Sequence, residues 1–280
     1  MITKNKKEQQ PAAPIKWHGG KSYLAHRIFE LMPPHTHYVE PFFGGGAILL
    51  NKPLGFIEGH SEVINDIFGD LITFWKVLQS TENFPEFVRR VSMTPFAKPS
   101  WEEAVENSSY DPLDRACAFF IRYRQSRQGL GKDFATMSRT RTRRGMNEQV
   151  SSWLSAVEGL PAAHERLKRV AIYCEDAASV IRREDGASTF FYCDPPYLSE
   201  TRTVKKAYSH EMTDLDHTEL LHTLGNAEGK FLLSGYPHPL YDAAASKYGW
   251  QRFDIKIDNK ASSQKIKPKK TECLWANYDL

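Results

Sequence analysis

Short β-forming runs alternate with stretches of helical apolar spacing along most of this 280-residue chain, and that alternation restricts the fold more than any other feature. The runs lie at residues 38–43, 62–65, 170–174, 189–193 and 231–234. Helical spacing follows the second of them (Leu71, Ile72, Trp75, Leu78). It recurs at 214–224, where Asp214 reads as the N-cap and Leu215, Leu220, Leu221 and Leu224 as the apolar positions. Two further runs, 253–257 and 273–277, are expected to pair antiparallel around a lysine-rich loop. This order predicts an α/β sheet with helices on both faces.

The middle of the chain breaks the pattern. Residues 85–163 hold no convincing strand but carry helical spacing at 113–123 and 150–157. Gly129, Gly131 and Gly145 punctuate an exposed loop there. The expected organisation is a flexible tail at 1–14, a sheet domain from 15–84 and 164–280, and a mostly helical insertion at 85–163 between the second and third strands.

Charge is concentrated in that insertion. The chain is only +3 overall, yet residues 115–144 contain Arg115, Arg122, Arg124, Arg127, Lys132, Arg139, Arg141, Arg143 and Arg144 against one acid, Asp133. A second cluster has Lys256, Lys260, Lys265, Lys267, Lys269 and Lys270 against Asp258. Local basic patches on a near-neutral body point to a polyanion, and nucleic acid is the obvious one. Other classes fall away. At 41% apolar and 25% charged, the composition is that of a globular protein. No apolar stretch is long enough to span a bilayer, and residues 1–14 lack the apolar core of a signal peptide, so a cytoplasmic protein is expected. Cys117, Cys174, Cys193 and Cys273 form no C-x-x-C pair and are expected to be reduced and buried. The histidines form no metal-binding pattern; His217 and His222 read as helix residues.

Three motifs carry chemistry. Glu40-Pro41-Phe42-Phe43-Gly44-Gly45-Gly46-Ala47 reads as strand, glycine turn and helix. Such a turn lets either a ligand approach the backbone at a helix N-terminus or a helix pack closely on its strand. Asn65-Asp66 ends the next strand, about 20 residues on, where an acid can accept hydrogen bonds from ribose hydroxyls. Finally, the apolar run 189–193 ends in Asp194-Pro195-Pro196-Tyr197. Two prolines hold that corner extended and rigid. The Asp194 carboxylate and the Pro195 carbonyl can accept both hydrogens of an exocyclic amine, beside an aromatic ring suited to a planar base.

With these motifs the chain resembles the Dam-like (D12 class, alpha group) adenine-specific DNA N6-methyltransferases, in their phage or prophage-like branch. Residues 15–21 (Ile-Lys-Trp-His-Gly-Gly-Lys) resemble that family's N-terminal cofactor motif, and Glu40 to Gly46 its glycine motif. Asp66 resembles its ribose acid and Asp194 to Tyr197 its catalytic tetrapeptide. Glu175-Asp176 stands where the family has an acid near the cofactor adenine, and residues 272–278 resemble the family's ending. Ser234-Gly235 stands where many relatives have Ser-Asn, so no role carries onto Gly235.

The resemblance implies a Rossmann-like S-adenosylmethionine-dependent methyltransferase sheet with a helical target-recognition insertion. It implies methyl transfer to adenine N6 in a specific duplex DNA sequence, with the base flipped out of the stack and S-adenosylhomocysteine as product. Asp194, Pro195, Pro196 and Tyr197 are then catalytic. Trp17, Lys21, Glu40, Pro41, Phe42, Gly44, Gly46, Asp66, Asp176 and Asp194 contact the cofactor. Arg122, Arg124, Arg127, Lys132, Arg139, Arg141, Arg143 and Arg144 contact DNA. No metal and no membrane are implied, and a monomer or weak dimer is expected. The alternatives are the same fold acting on another amine (RNA adenine, cytosine N4, a protein glutamine) and a DNA-binding regulator without catalysis.

Overall fold

The computed structural model describes residues 13–53, 60–201, 210–258 and 269–279. In chain order the elements are α1 (Ala25–Leu31), β1 (His37–Glu40), β2 (Ser61–Asn65), α2 (Gly69–Gln79), α3 (Phe84–Met93), α4 (Lys98–Glu106) and α5 (Pro112–Arg124). Then come β3 (Thr142–Arg143), β4 (Met146–Asn147), α6 (Glu148–Glu158), α7 (Leu160–Leu167), β5 (Val170–Tyr173), α8 (Ala177–Glu184) and β6 (Thr189–Cys193). The chain closes with α9 (Asp214–Gly225), β7 (Lys230–Gly235), α10 (Pro239–Tyr248), β8 (Gln251–Asp258) and β9 (Lys269–Ala276). Contacts divide it into two compact units. One comprises the described parts of Met1–Arg27, Gly44–Glu58 and Phe68–Ile172, the other those of Ile28–Phe43, Gly59–Ile67 and Tyr173–Leu280. The helical unit is thus wider than residues 85–163, taking in α2, the N-terminal segment and the glycine turn.

The sheet is α/β and Rossmann-like, with strand order β5-β2-β1-β6-β7-β9-β8. β1 pairs in parallel with both β2 and β6, and β6 in parallel with β7. Strands covered on both faces must be apolar throughout rather than alternating, and β6 (Thr-Phe-Phe-Tyr-Cys) is buried at every position. Val39, Val63, Phe191, Phe231 and Leu233 form one core with Val180 and Ile181 of α8 and Leu220, Leu221 and Leu224 of α9. The last two strands are antiparallel, as expected: β9 pairs with β7 (Gly235 opposite Cys273) and with the whole of β8.

Four local expectations are corrected. The glycine turn is not followed by an α-helix; a single 3₁₀ turn, Leu49–Asn51, ends at Lys52 with ψ 126°. Pro53 explains this, because the residue before a proline is pushed out of the helical region. The N-cap of α9 is Thr213, not Asp214. Thr213 and Asp216 form a reciprocal capping box, and Leu215, expected on the apolar face, is 81% exposed. His217 is buried instead, its Nδ1 2.9 Å from the Tyr241 hydroxyl. Cys174, just past the end of β5, is exposed, whereas the other three thiols are buried.

The helical unit is built on an aromatic seam. Phe74 and Trp75 of α2 are fully buried, and Phe74 stacks on Phe119 and Phe120 of α5. The α5 N-terminus is set by Asp111, whose carboxylate accepts from the Asp114 N–H, with Pro112 at the first helical position. The exposed loop expected after α5 contains a ribbon, β3–β4, of two residues per strand. Its turn has Arg144 at φ 57° and Gly145 at φ 74°, the two left-handed positions of a tight hairpin. Among the described residues, no helix is long and apolar enough to cross a membrane.

Candidate active site

The sheet unit brings acids to the carboxyl ends of its parallel strands. After β1 the chain moves outward to β2 and then β5, and returns to β6 on the other side of β1. The strand order therefore reverses between β1 and β6, and a crevice at such a point is where open α/β sheets bind ligands. Glu40 ends β1, Asp66 follows β2 and Asp194 follows β6. Glu40 is 2% exposed and accepts a 2.6 Å hydrogen bond from Tyr38, two residues back on the same strand face. Asp66 does not cap α2, whose N-cap position is Phe68. Asp176, at the N-cap of α8, accepts from the Ser179 N–H at 2.8 Å.

Asn65 organises these ends, a role the sequence reading missed. Its fully buried side chain donates to the carbonyls of Pro41 and Glu175 and accepts from the Glu175 N–H. Its own carbonyl accepts from the Phe43 N–H at 2.8 Å. One amide thus satisfies backbone groups of two separate loops.

The tetrapeptide after β6 is held from two sides. Cys193 and Pro195 are buried and Asp194 is half-buried. Tyr197, only 6% exposed, donates its hydroxyl to the buried carboxylate of Glu272 on β9. Its ring meets Tyr236 edge to face at 4.7 Å and 73°. Burial, with Asp194 and Glu272 nearby, pushes the Tyr197 phenol well above its ordinary pKa, so it stays protonated. Gly235 has a packing role: a β-carbon there would stand 2.9 Å from the Trp275 ring. Glu272 and Gly235 carry weak signals in sequence, an acid inside an apolar strand and a glycine ending one.

In the helical unit, Trp17 lies on the glycine turn. A β-carbon at Gly44 would stand 2.6 Å from its indole Nε1, and one at Gly45 2.5 Å from its Cβ. The Gly44 carbonyl accepts from the Trp75 indole N–H at 3.1 Å. The Trp17 ring also meets Tyr123 and Phe119 of α5 at 5.2 and 6.3 Å. Lys21 is 4% exposed, and its ammonium donates to the Gly19 carbonyl at 3.1 Å. Lys16 donates to Gln149, and burial beside Arg124 pulls its pKa down to about 8.

The basic residues divide into two groups. Arg124 is largely buried and donates to the carbonyl and hydroxyl of Ser152; Arg122 donates to the Gly131 carbonyl at 2.9 Å. Burial lowers the Arg124 pKa to about 10. Both guanidinium groups are engaged in holding the unit together. Arg144 forms a two-pronged pair with Glu158 at 2.9 Å, and Arg141 lies 3.7 Å from Glu148. Arg127, Lys132, Arg139 and Arg143 are exposed. Of the lysine cluster, Lys260, Lys265 and Lys267 lie outside the described residues.

The model of one protein family, D12 class N6 adenine-specific DNA methyltransferase, matches residues 17–114 and 134–267. The DNA adenine methylase of Escherichia coli K12 is 29% identical over 210 residues, 71% of this chain and 70% of that protein. The DNA adenine methylase of Salmonella typhi is 27% identical over 94% of each chain. A DNA N-6-adenine-methyltransferase of Escherichia phage P1 is 29% identical over 219 residues, 76% of this chain. The match spans only 28% of the length of that phage protein.

Proposed function

We propose that this chain, which belongs to the D12 class N6 adenine-specific DNA methyltransferase family and is an enzyme, methylates adenine N6 within a specific sequence of duplex DNA, using S-adenosylmethionine and flipping the base out of the stack. The observation that carries the reading is Asp194-Pro195-Pro196-Tyr197 at the carboxyl end of β6, beside the point where strand order reverses.

The donor set suits the cofactor. S-adenosylmethionine, when bound, supplies an electrophilic methyl group on a sulfonium. Asp66 would accept from its ribose hydroxyls and Asp176 would stand near its adenine. The turn at Glu40, Pro41, Phe42, Gly44 and Gly46 would pass close to its methionine part, and Trp17 and Lys21 would contact it from the N-terminal segment. Asp194 would contact the cofactor as well.

The chain's own residues do the rest. The Asp194 carboxylate and the Pro195 carbonyl accept the two N6 hydrogens of the extruded adenine. That would draw the nitrogen lone pair out of conjugation with the ring; as the new N6–methyl bond forms, the methyl–sulfur bond would break and the surplus N6 proton would pass to the Asp194 carboxylate and on to water. Pro196 keeps the corner rigid, and Tyr197 supplies an aromatic face for the base. Positioning and fixed charge lower the barrier, with no covalent enzyme intermediate. Arg127, Lys132, Arg139, Arg141 and Arg143 hold DNA. Arg122 and Arg124 support the fold of that face, and Arg144 fixes the ribbon turn.

The test is transfer of labelled methyl groups from S-adenosylmethionine to unmethylated genomic DNA, followed by nucleoside analysis and mapping of modified sites. N6-methyladenine at one recurring sequence is the expected product. Label on RNA, on cytosine N4 or on nothing, by folded protein, overturns the reading.

A further inference from the structure

A carboxylate inside a sheet core is unfavourable unless something holds it there. Glu272 is 1% exposed on β9, amid Cys273, Leu274, Trp275 and Ala276, all fully buried. β9 is clamped between two strands: Cys273 lies opposite Gly235 of β7, and Glu272 opposite Ile255 of β8. The carboxylate therefore sits on a rigid element. It accepts the hydroxyl of Tyr197.

That contact determines more than one bond. A tyrosine ring attached only at Cβ can still tilt and turn. Fixing its far end at the hydroxyl limits the tilt, and the edge-to-face contact with Tyr236 at 4.7 Å and 73° limits rotation of the ring plane. Tyr236 follows β7, the other strand flanking β9. Two adjacent strands thus set the plane of the last residue of the tetrapeptide.

We infer that Glu272 is a positioning residue, whose carboxylate holds Tyr197 by its hydroxyl so that the ring face meets the flipped adenine in a productive pose. The inference rests on the function proposed above. It assigns Glu272 no contact with substrate and no proton transfer. The Tyr197 hydroxyl remains protonated throughout.

Three variants test it: Tyr197→Phe keeps the ring and removes the hydroxyl, Glu272→Leu removes the acceptor, and Glu272→Gln retains an acceptor oxygen. Each is assayed on a duplex carrying the mapped target, and again with 2-aminopurine at the target adenine, whose fluorescence reports stacking of the extruded base. Tyr197→Phe and Glu272→Leu are each expected to lower kcat about tenfold. Both should also leave the flipped 2-aminopurine brighter and the KM for S-adenosylmethionine unchanged. The double variant should be no slower than either single one, because both remove the same hydrogen bond. Glu272→Gln should stay within about threefold of wild type. Wild-type kcat and fluorescence in Tyr197→Phe overturn the inference, and they do so even if Glu272→Leu fails to fold. So do single effects that multiply in the double variant. A wild-type chain that does not methylate DNA adenine overturns the function reading, and this inference with it.

Discussion

Trp17 rests on Gly45 so closely that a β-carbon on the glycine would stand 2.5 Å from the tryptophan Cβ. Two stretches separated in sequence, the W-x-G-G-K segment and the turn after β1, are thereby packed into one surface of the helical unit. Gly44 adds a left-handed φ of 50°. Gly45→Ala is expected to push Trp17 off the turn, cost about 1–3 kcal/mol of stability and raise the KM for S-adenosylmethionine several-fold. Thermal melting with tryptophan fluorescence reads the first effect and steady-state kinetics the second. An unshifted melting curve would mean that the turn accommodates the methyl group.

Asn65 satisfies two loops with one buried side chain. Asn65→Ala strands the carbonyls of Pro41 and Glu175, and a loss of about 2–4 kcal/mol is expected. Denaturant titration measures it. A loss below about 0.5 kcal/mol would show that water replaces the amide without cost.

Asp194→Asn should retain the fold, since the half-buried carboxylate sits beyond the strand end. The amide offers one acceptor instead of a charged pair, so methyl transfer should fall by about 10²–10³. DNA affinity in a filter-binding assay should change little. Wild-type turnover would remove Asp194 from the mechanism.

Neutralising Arg139, Arg141 and Arg143 together is expected to weaken DNA binding and to reduce the salt slope by about 0.9 for each phosphate no longer neutralised. Arg124→Ala should instead lower the melting temperature, because its guanidinium holds Ser152. Binding isotherms at several salt concentrations separate the two cases. An unchanged slope in the triple variant would place the DNA-binding surface elsewhere.

Burial pushes the thiols of Cys117 and Cys273 up to about 12, and that of Cys193 higher still. A raised pKa means less thiolate, the reactive form; at pH 8 the first two are ionised to only about one part in ten thousand. A thiol reagent at pH 8 should therefore label Cys174 rapidly and the other three only through opening of the fold. That slow labelling should rise with pH only to about 9, where a thiol exposed by opening is already ionised. Peptide mass spectrometry reads the order, and rapid labelling of Cys193 would contradict the packing around β6.

Much of this was legible in the chain itself. The apolar run before Asp194 is strand β6 residue for residue, because a strand covered on both faces leaves no room for polar alternation. The glycine turn, Asp66 and the tetrapeptide were visible because each is a local pattern. What escaped was non-local or too short. Glu272 reaches Tyr197 only through the register of β9 against β7. The β3–β4 ribbon has two residues per strand, which no periodicity can announce. Two misses were local after all: Pro53 was in plain view as a helix stop, and Thr213 with Asp216 forms a capping box with the shorter acid in place of glutamate.

The pairing of β1 with β6 has a kinetic consequence. Val39 and Phe191 are partners although about 150 positions separate them, which makes this ladder slow to nucleate. β1, an interior strand of the sheet, must wait for a distant neighbour, while α2 to α7 can condense from contacts made nearer in sequence. During synthesis, β1 emerges from the ribosome long before β6 and remains unpaired on that side throughout. The brevity of β1, four residues, limits the edge it presents to other chains in the interval.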